Sequence, residues 1–279
     1  MIYLLIYENL NLNILLIINR LSTNVMKSIL YQLAAAISFF TRIPLWRIVD
    51  IPVKHYSRII CFWPLTGWIT GGITALALFG FSMLFPPFLA IILALVVRLL
   101  LTGGFHEDGL SDFIDGFGGG RTKADILRIM KDSQVGSYAL IGMIVYYLIL
   151  VTTLDSIPKQ LVVSVILAAD PFSKLLTVLM MNFLPYARTE SESKSKTLYD
   201  KLTFGRILAA CLSGLILLVV LLKPLFWFAT LFPIVLILFL YFYIRKRIGG
   251  YTGDICGATA LLCELGFYLS VCVISIHFS

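Results

Sequence analysis

Long apolar runs, broken by short polar segments, dominate the hydropathy pattern of the chain. A membrane-spanning helix needs about 20 mostly apolar residues. Seven runs approach or reach this length: 59–81, 82–102, 138–154, 160–182, 207–222, 225–243 and 256–276. The runs are continuous, whereas strands of a membrane barrel alternate apolar and polar residues. The pattern therefore predicts an all-α polytopic membrane protein with about seven transmembrane helices, in which Pro86-Pro87 marks a turn between two helices.

The N-terminal region is the least regular part of the pattern. An apolar stretch at about 29–45 is predicted to lie in the membrane interface or to re-enter the membrane. Before it, polar residues interrupt an apolar segment that lacks the basic region and small-residue cleavage site of a signal peptide. We interpret residues 1–26 as an extension, either an upstream misassignment of a start at Met26 or an extra anchor, and favour the former. Residues 27–279 are predicted to form a single membrane-embedded domain.

Composition supports the membrane assignment. Of the 279 residues, 59% are hydrophobic and 13% are charged, whereas about 25% are charged in an ordinary soluble domain. So few charges cannot cover a globule in water, which excludes a soluble enzyme, a disordered protein and a disulfide-rich secreted module. The net charge of +7 would suggest nucleic-acid binding in a soluble protein, but in a membrane protein it indicates basic cytoplasmic loops.

The basic residues follow the topology that the spans predict. Four segments, each separated from the next by two proposed spans, contain 16 Lys and Arg residues: 42–58, 103–137, 183–206 and 244–255. The opposite turns contain only Lys159 and Lys223. By the positive-inside rule the basic face is cytoplasmic. The predicted surroundings are a lipid bilayer, with no nucleic acid.

Four of the 15 acidic residues fall in one short segment directly after a predicted span. Asp108, Asp112 and Asp115 are spaced i+4 and i+3, so on a helix they share one stripe. Carboxylates repel one another unless a cation lies among them, and hard oxygens suit Mg²⁺ better than zinc. The alternative is a solvated acidic face at a helix end. His106, beside the stripe, is as consistent with a structural role as with a catalytic one.

Further polar residues follow on the same predicted face. Lys131 is suited to contact a phosphate, Asp132 a metal or a sugar hydroxyl, and Ser133 adds a hydroxyl group. Arg188 follows a span directly, where it either forms a forked contact with a phosphate or serves only as a topology signal.

A glycine-rich segment, Gly249-Gly250-Tyr251-Thr252-Gly253-Asp254, precedes the last span. Glycine lets a backbone approach a phosphate closely, so Gly250, Thr252 and Asp254 are candidates for substrate binding. A tight turn into the span is the alternative.

Two acidic residues lie within predicted spans. Glu264 is a functional candidate because an acid is costly in hydrocarbon, whereas Asp170 is expected to pair with Lys174 at i+4. With the acids, glycines and bases on one face, the sequence suggests a diphosphate substrate held through Mg²⁺.

Several segments form an ordered set of motifs. The longest is Gly-Gly-Phe-His106-x-Asp108-Gly-Leu-x-Asp112-x-x-Asp115-Gly, and the others are Phe40-Thr41-Arg42-Ile43-Pro44, Phe62-Trp63-Pro64-Leu65-Thr66-Gly67, Met130-Lys131-Asp132-Ser133-x-x-Gly136, Pro185-Tyr186-Ala187-Arg188 and Gly249-Gly250-Tyr251-Thr252-Gly253-Asp254. Over about residues 27–276 the chain resembles the cobalamin synthase family of adenosylcobinamide-GDP ribazoletransferases.

The resemblance implies an enzyme of late cobalamin assembly. A hydroxyl of α-ribazole, or of its 5′-phosphate, attacks the diphosphate of adenosylcobinamide-GDP, GMP leaves, and adenosylcobalamin or its 5′-phosphate forms. It also implies Mg²⁺ as cofactor, the bacterial cytoplasmic (inner) membrane as location, and other corrinoid-assembly enzymes as partners. The predicted catalytic residues are His106, Asp108, Asp112, Asp115 and Asp132, with Asp108, Asp112 and Asp115 as metal ligands. The predicted substrate-binding residues are Lys131, Ser133, Arg188, Gly250, Thr252 and Asp254.

Three features depart from the family pattern. Glu107 stands where an apolar residue is expected, residues 189–196 lack the expected glycines, and Lys174 stands where arginine is expected. These departures concern substrate contacts rather than the family assignment.

Two other functions are consistent with part of the pattern. A CDP-alcohol phosphatidyltransferase would also combine an aspartate stripe with Mg²⁺, but its signature continues with Ala-Arg after Asp-Gly, which this chain lacks after Asp108-Gly109. A transporter would place paired acids near the bilayer midplane, whereas nearly all acids here lie at one predicted face.

Overall fold

The protein is described by a computed structural model covering residues 25–188 and 200–278. Within these ranges the chain is helical and contains no strands. The α-helices are α1 Val25–Phe40, α2 Trp63–Ser82, α3 Pro87–Thr102, α4 Phe105–Gly119, α5 Lys123–Ile129, α6 Ser137–Ser156, α7 Lys159–Phe183, α8 Phe204–Leu221, α9 Leu231–Ile248 and α10 Gly253–His277. Short 3-10 helices occupy Leu45–Arg47, Val53–Phe62 and Pro224–Thr230, and the last two run directly into α2 and α9.

The span prediction is confirmed in its class and approximate number. Six helical segments are long and apolar enough to cross a membrane, and the number rises to seven if α3 and α4 together form one broken span. Helix α1 is apolar but shorter, and its interfacial or re-entrant placement stays a prediction. The prediction for residues 1–26 lies outside the described residues, apart from Val25 and Met26.

The region of the second predicted span differs in detail. Helix α3 covers only Pro87–Thr102, and α4 leaves it at an angle of 93°. The bend lies at Gly103 and Gly104, whose φ angles are 70° and 68°. Residues with a side chain rarely adopt this left-handed conformation. The two glycines therefore let the acidic stripe begin a separate helix instead of a loop.

Helix α4 packs tightly against the start of α10. A Cβ atom added at Gly109 would lie 2.6 Å from the carbonyl oxygen of Asp254, and one at Gly257 would lie 3.0 Å from that of His106. Any side chain at Gly109 would therefore force the two backbones apart. This contact places Asp108 on α4 and Asp254 on α10 beside one another although they are far apart in sequence.

The four basic segments meet on one face of the protein. Three contacts join them: Arg58 Nε to Asp200 Oδ2 at 3.0 Å, Arg247 Nη2 to Gly120 O at 2.7 Å, and Ala187 N to Tyr251 O at 2.9 Å. Their position on one face agrees with the topology predicted from the distribution of Lys and Arg residues between the spans.

Two ion pairs lie inside the helical bundle. Arg98 on α3 forms two hydrogen bonds with Glu264 on α10, at 2.7 and 2.5 Å. The expected pair of Asp170 and Lys174 is confirmed on α7. Thr70 on α2 donates to Asp170 at 2.7 Å and accepts from Lys174 at 2.6 Å. These buried charges are partnered and link neighbouring helices, as the cost of burying a charge requires.

Candidate active site

A cavity of about 250 Å³ lies at the basic face, between the ends of α1, α2, α4, α7 and α10. We call it the central cavity. Its wall contains five aromatic residues and three charged ones, so it offers both apolar contact and charge recognition. Its lining residues include Phe40, Trp63, Asp108, Tyr186, Arg188 and Asp254.

Backbone hydrogen bonds join the motif that begins at Pro185 to the glycine-rich motif that precedes α10. Tyr186 and Tyr251 form an isolated parallel bridge, in which Ala187 N donates to Tyr251 O and Tyr251 N donates to Pro185 O, both at 2.9 Å. A Cβ atom at Gly250 would lie 2.2 Å from the oxygen of Pro185. Gly250 is therefore needed for this pairing, and its predicted substrate contact stays a prediction.

The residues around the bridge lead into helix α10. The buried Thr252 hydroxyl accepts a hydrogen bond from Ile255 N at 3.3 Å and so acts as the N-cap. Burial raises the pKa of the Tyr251 phenol above its ordinary value of 10.0, so this ring stays neutral. Thr252 thus fixes the helix start that carries Asp254.

Arg188 and Asp254 form the charged pair of the central cavity. Arg188 Nη2 donates to Asp254 Oδ2 at 3.3 Å, and the arginine side chain is 4% exposed. Arg188 Nε is buried and has no hydrogen-bond partner among the described residues. A buried guanidinium that retains an unpaired donor is suited to bind an anion such as phosphate.

The three aspartates of α4 have different surroundings. Asp108 is exposed and lines the central cavity, and Asp112 is half-buried one turn further on. Asp115 is buried, and its two oxygens accept from Gly136 N at 2.6 Å and Ala139 N at 2.8 Å. Asp115 therefore holds the start of α6, a role that the helical spacing alone did not reveal.

The donor set for a metal ion changes accordingly. Among the described residues, no group of three or more His, Cys, Asp or Glu side chains is arranged to hold a metal. Asp108 and Asp254 nevertheless line the same cavity, and Mg²⁺ commonly takes one or two protein carboxylates and completes its shell with water and phosphate oxygens. The residues present fit Mg²⁺ through Asp108 and Asp254, and the three-aspartate set stays a prediction.

His106 supports the aromatic wall from behind. Its ring stacks on Trp63, with centroids 5.7 Å apart, and Trp63 stacks on Phe40 at 4.8 Å. The imidazole is 2% exposed, and its Nε2 has no partner among the described residues. His106 does not line the central cavity, so its position is that of a residue orienting Trp63.

The Lys131-Asp132-Ser133 segment lies outside the central cavity. All three side chains are exposed in the connection between α5 and α6. Asp132 Oδ1 accepts from Gln134 N at 3.1 Å, which stabilises the turn. The central cavity thus contains Asp108, Arg188 and Asp254, whereas the Lys131-Asp132-Ser133 segment lies outside it.

A second cavity, of about 620 Å³, lies at the bend between α3 and α4. We call it the bend cavity. It shares Phe39, Phe105 and Asp108 with the central cavity and adds Arg42 and Glu107. Glu264, the acid within a span that was proposed as functional from the sequence, lines neither cavity and instead accepts hydrogen bonds from Arg98 and Tyr268.

Sequence reasoning assigned no role to Arg42, Phe40 and Trp63. All three belong to motifs that carried the family resemblance. Their aromatic and basic character was visible, but only the packing of α1 and α2 against α4 shows that they line these cavities.

The chain matches the sequence model of the family described as cobalamin-5-phosphate synthase over residues 32–273. Curated relatives are named adenosylcobinamide-GDP ribazoletransferase. The protein of Shewanella frigidimarina is 35% identical over 246 residues, which cover 86% of this chain and 94% of the relative. That of Shewanella sp. strain W3-18-1 is 34% identical over 247 residues, covering 86% and 92%. No solved structure matches the chain.

Proposed function

The chain belongs to the cobalamin-5-phosphate synthase family, and we propose that it transfers the adenosylcobinamide-phosphate moiety of adenosylcobinamide-GDP to α-ribazole or its 5′-phosphate. The curated relatives carry the name of this activity. The observation that supports it best is the buried Arg188–Asp254 pair beside Asp108 in one cavity. Membership in this family replaces the phosphatidyltransferase and transporter alternatives.

The reaction transfers the phosphoryl group that bears the cobinamide from GMP to a hydroxyl group of the ribazole. A hydroxyl oxygen of the ribazole forms a bond to the phosphorus that bears the cobinamide, the bridging P–O bond breaks, GMP leaves and the hydroxyl proton is released. Such reactions depend on positioning and on stabilising negative charge. The protein therefore needs donors at the diphosphate and a wall that orients the two substrates.

The central cavity contains the groups for this task. Arg188 holds a non-bridging phosphate oxygen through its unpaired Nε–H, while its Nη2 remains with Asp254. Asp108 and Asp254 would hold Mg²⁺, which when bound supplies charge neutralisation at the diphosphate. Phe40 and Trp63 stack in the cavity wall, and His106 stacks on Trp63 from behind. A packed wall of this kind favours preorganised donor groups.

The direct test supplies adenosylcobinamide-GDP, α-ribazole and Mg²⁺ to membranes containing the protein and measures GMP release. We expect GMP with the wild type, and a loss of about 10²-fold for Arg188→Gln because one buried donor to the diphosphate is removed. Arg121→Gln is the matched control, since Arg121 is exposed and lines neither cavity. Absence of GMP from the wild type, at substrate and Mg²⁺ saturation, contradicts the proposal.

We further propose that the site faces the cytoplasm, as the basic segments indicate. Ser133 and Ser156 flank the two ends of α6 and are both exposed. In a background without native cysteines, Ser156→Cys should react with an impermeant reagent in intact cells, and Ser133→Cys only after the cells are opened. The opposite pattern would reverse the orientation and place the site outside the cell.

A further inference from the structure

The bend cavity is a second site that opens onto the same carboxylate as the central cavity. Asp108 lines both cavities. A transfer between two substrates needs two binding sites that meet at the reacting atoms. The volumes of the two cavities agree with two separate sites. The central cavity, of about 250 Å³, suits a diphosphate. The bend cavity, of about 620 Å³, falls within the range of about 300–1,000 Å³ typical of small-molecule sites.

Arg42 is the basic residue among those that line the bend cavity. Its backbone N–H donates to Leu101 O at 2.7 Å, which ties the residue to the end of α3. Its side chain lies against Gly103, where an added Cβ atom would come within 2.4 Å of Arg42 Nε. Gly103 thus leaves room for the guanidinium at the bend.

The guanidinium of Arg42 differs from those of the two buried arginines, Arg98 and Arg188. Arg98 and Arg188 each pair with a carboxylate, whereas no carboxylate of the described residues lies within 4 Å of Arg42. The side chain is exposed to the cavity rather than enclosed. An arginine held in place by its backbone, with its fork of donors available, matches the geometry of a phosphate group.

We propose that the bend cavity binds the acceptor and that Arg42 recognises the phosphate of the phosphorylated acceptor, α-ribazole 5′-phosphate. This inference rests on the proposed function. The 5′-phosphate takes no part in bond formation, so Arg42 determines specificity between the phosphorylated and the unphosphorylated acceptor. The acceptor's hydroxyl is then presented to the diphosphate across Asp108, the residue that the two cavities share.

The test compares kcat/KM for the two acceptors, α-ribazole 5′-phosphate and α-ribazole, in four proteins: wild type, Arg42→Gln, Arg42→Lys and Arg47→Gln. For Arg42→Gln we expect the loss with the phosphorylated acceptor to exceed the loss with α-ribazole by about 10- to 100-fold, as for one charged hydrogen-bonding contact. Arg42→Lys should regain part of the difference because it keeps the charge. Arg47→Gln removes an exposed arginine of the same segment that lines neither cavity.

The outcomes separate this inference from the proposed function. Equal losses with both acceptors in Arg42→Gln would overturn the inference and assign Arg42 to the donor or to the fold. The inference is also overturned if Arg42→Gln changes neither the rates nor the ratio of kcat/KM for the two acceptors. The same holds if Arg47→Gln changes that ratio as much as Arg42→Gln does. If the wild type releases no GMP with either acceptor, the proposed function itself fails.

Discussion

Two buried arginines in this protein pair with carboxylates, and the two pairs have opposite characters. In the interior pair, Arg98 donates twice to Glu264, and Tyr268 donates to the same carboxylate at 2.6 Å. In the cavity pair, Arg188 makes one longer contact of 3.3 Å to Asp254 and keeps an unpaired Nε. The first pair joins α3 to α10 inside the bundle, and the second lies at a cavity beside an exposed aspartate.

The difference shows what distinguishes a site from a structural ion pair. Burial of charge is common to both, and in each case a buried charge must be partnered. Only the cavity pair retains donor capacity and adjoins a space that a ligand can fill. The sequence-level rule that an acid within a span marks a functional site selected Glu264, which hydrogen-bonds with Arg98 and Tyr268 inside the bundle. Asp254 was selected instead by the glycine-rich segment that precedes the last span.

The largest expected effect lies at the cavity. Asp108→Asn and Asp254→Asn should each lower GMP release by about 10²- to 10³-fold, because each removes a charge that fits Mg²⁺ at the diphosphate. The double variant should lose little more than either single variant, since residues that act as a unit are non-additive. Initial rates measured across a Mg²⁺ titration check both statements.

Asp155→Asn is the control for these variants, because Asp155 is an exposed residue of α6 that lines neither cavity. A fully multiplicative loss in the double variant would place the two carboxylates in separate roles. Near-normal rates of both single variants at saturating Mg²⁺ would remove the metal from the proposal.

The interior pair should respond in stability instead. Arg98→Met leaves Glu264 buried without its cation, and breaking such a pair costs about 3–5 kcal/mol. The double variant Arg98→Met/Glu264→Leu should recover most of the loss, because an apolar replacement of the whole pair is often neutral or stabilising. Thermal unfolding of the purified protein in detergent measures both. Recovery that fails in the double variant would mean that the pair itself, not the uncompensated charge, sets the stability.

The sequence predicted class, spans and the Asp170–Lys174 pair because these follow from local rules of hydropathy and helical spacing. It also named Asp108, Arg188 and Asp254, which proved to share a cavity. It did not separate Asp108 from Asp115, since helical periodicity places both on one stripe and only tertiary packing shows that Asp115 meets the start of α6. The partner of Glu264 was missed for the same reason: Arg98 lies 166 positions away.

Asp108 and Asp115 differ in the same way within helix α4: Asp108 lines the central cavity, and Asp115 forms hydrogen bonds inside the fold. Its two oxygens accept from two backbone N–H groups, whereas an asparagine can accept with one oxygen only. Asp115→Asn should therefore destabilise the protein by about 1–3 kcal/mol, seen as a lower unfolding temperature. The Mg²⁺ concentration for half-maximal GMP release should stay at the wild-type value in the folded fraction. A clear rise in that concentration would return Asp115 to the metal site that the sequence predicted.

The smallest expected effect concerns Asp125, whose carboxylate lies at the protein surface. Asp125 accepts from the hydroxyl and the backbone N–H of Thr122 at the start of α5, which lowers its pKa below the ordinary value of 3.8. Because the pKa of Asp125 is lower in the folded than in the unfolded protein, its hydrogen bonds contribute their full stabilisation at pH values above the unfolded-state pKa. This stabilisation is lost as the pH falls through the folded-state pKa. Hydrogen exchange of the α5 amides should quicken, beyond the intrinsic pH trend, only at such acidic pH.

Asp125→Asn is the matched variant for this effect, because it cannot titrate. It should abolish the acid-dependent opening of α5 and leave GMP release unchanged, since Asp125 lines neither cavity. An acid transition that persists in Asp125→Asn would have to come from another carboxylate. Asp125 has satisfied hydrogen bonds but lines neither cavity, so its loss should affect only the local stability of α5. The buried Arg98–Glu264 pair acts on the stability of the bundle, and the charged groups that line the central cavity act on the reaction.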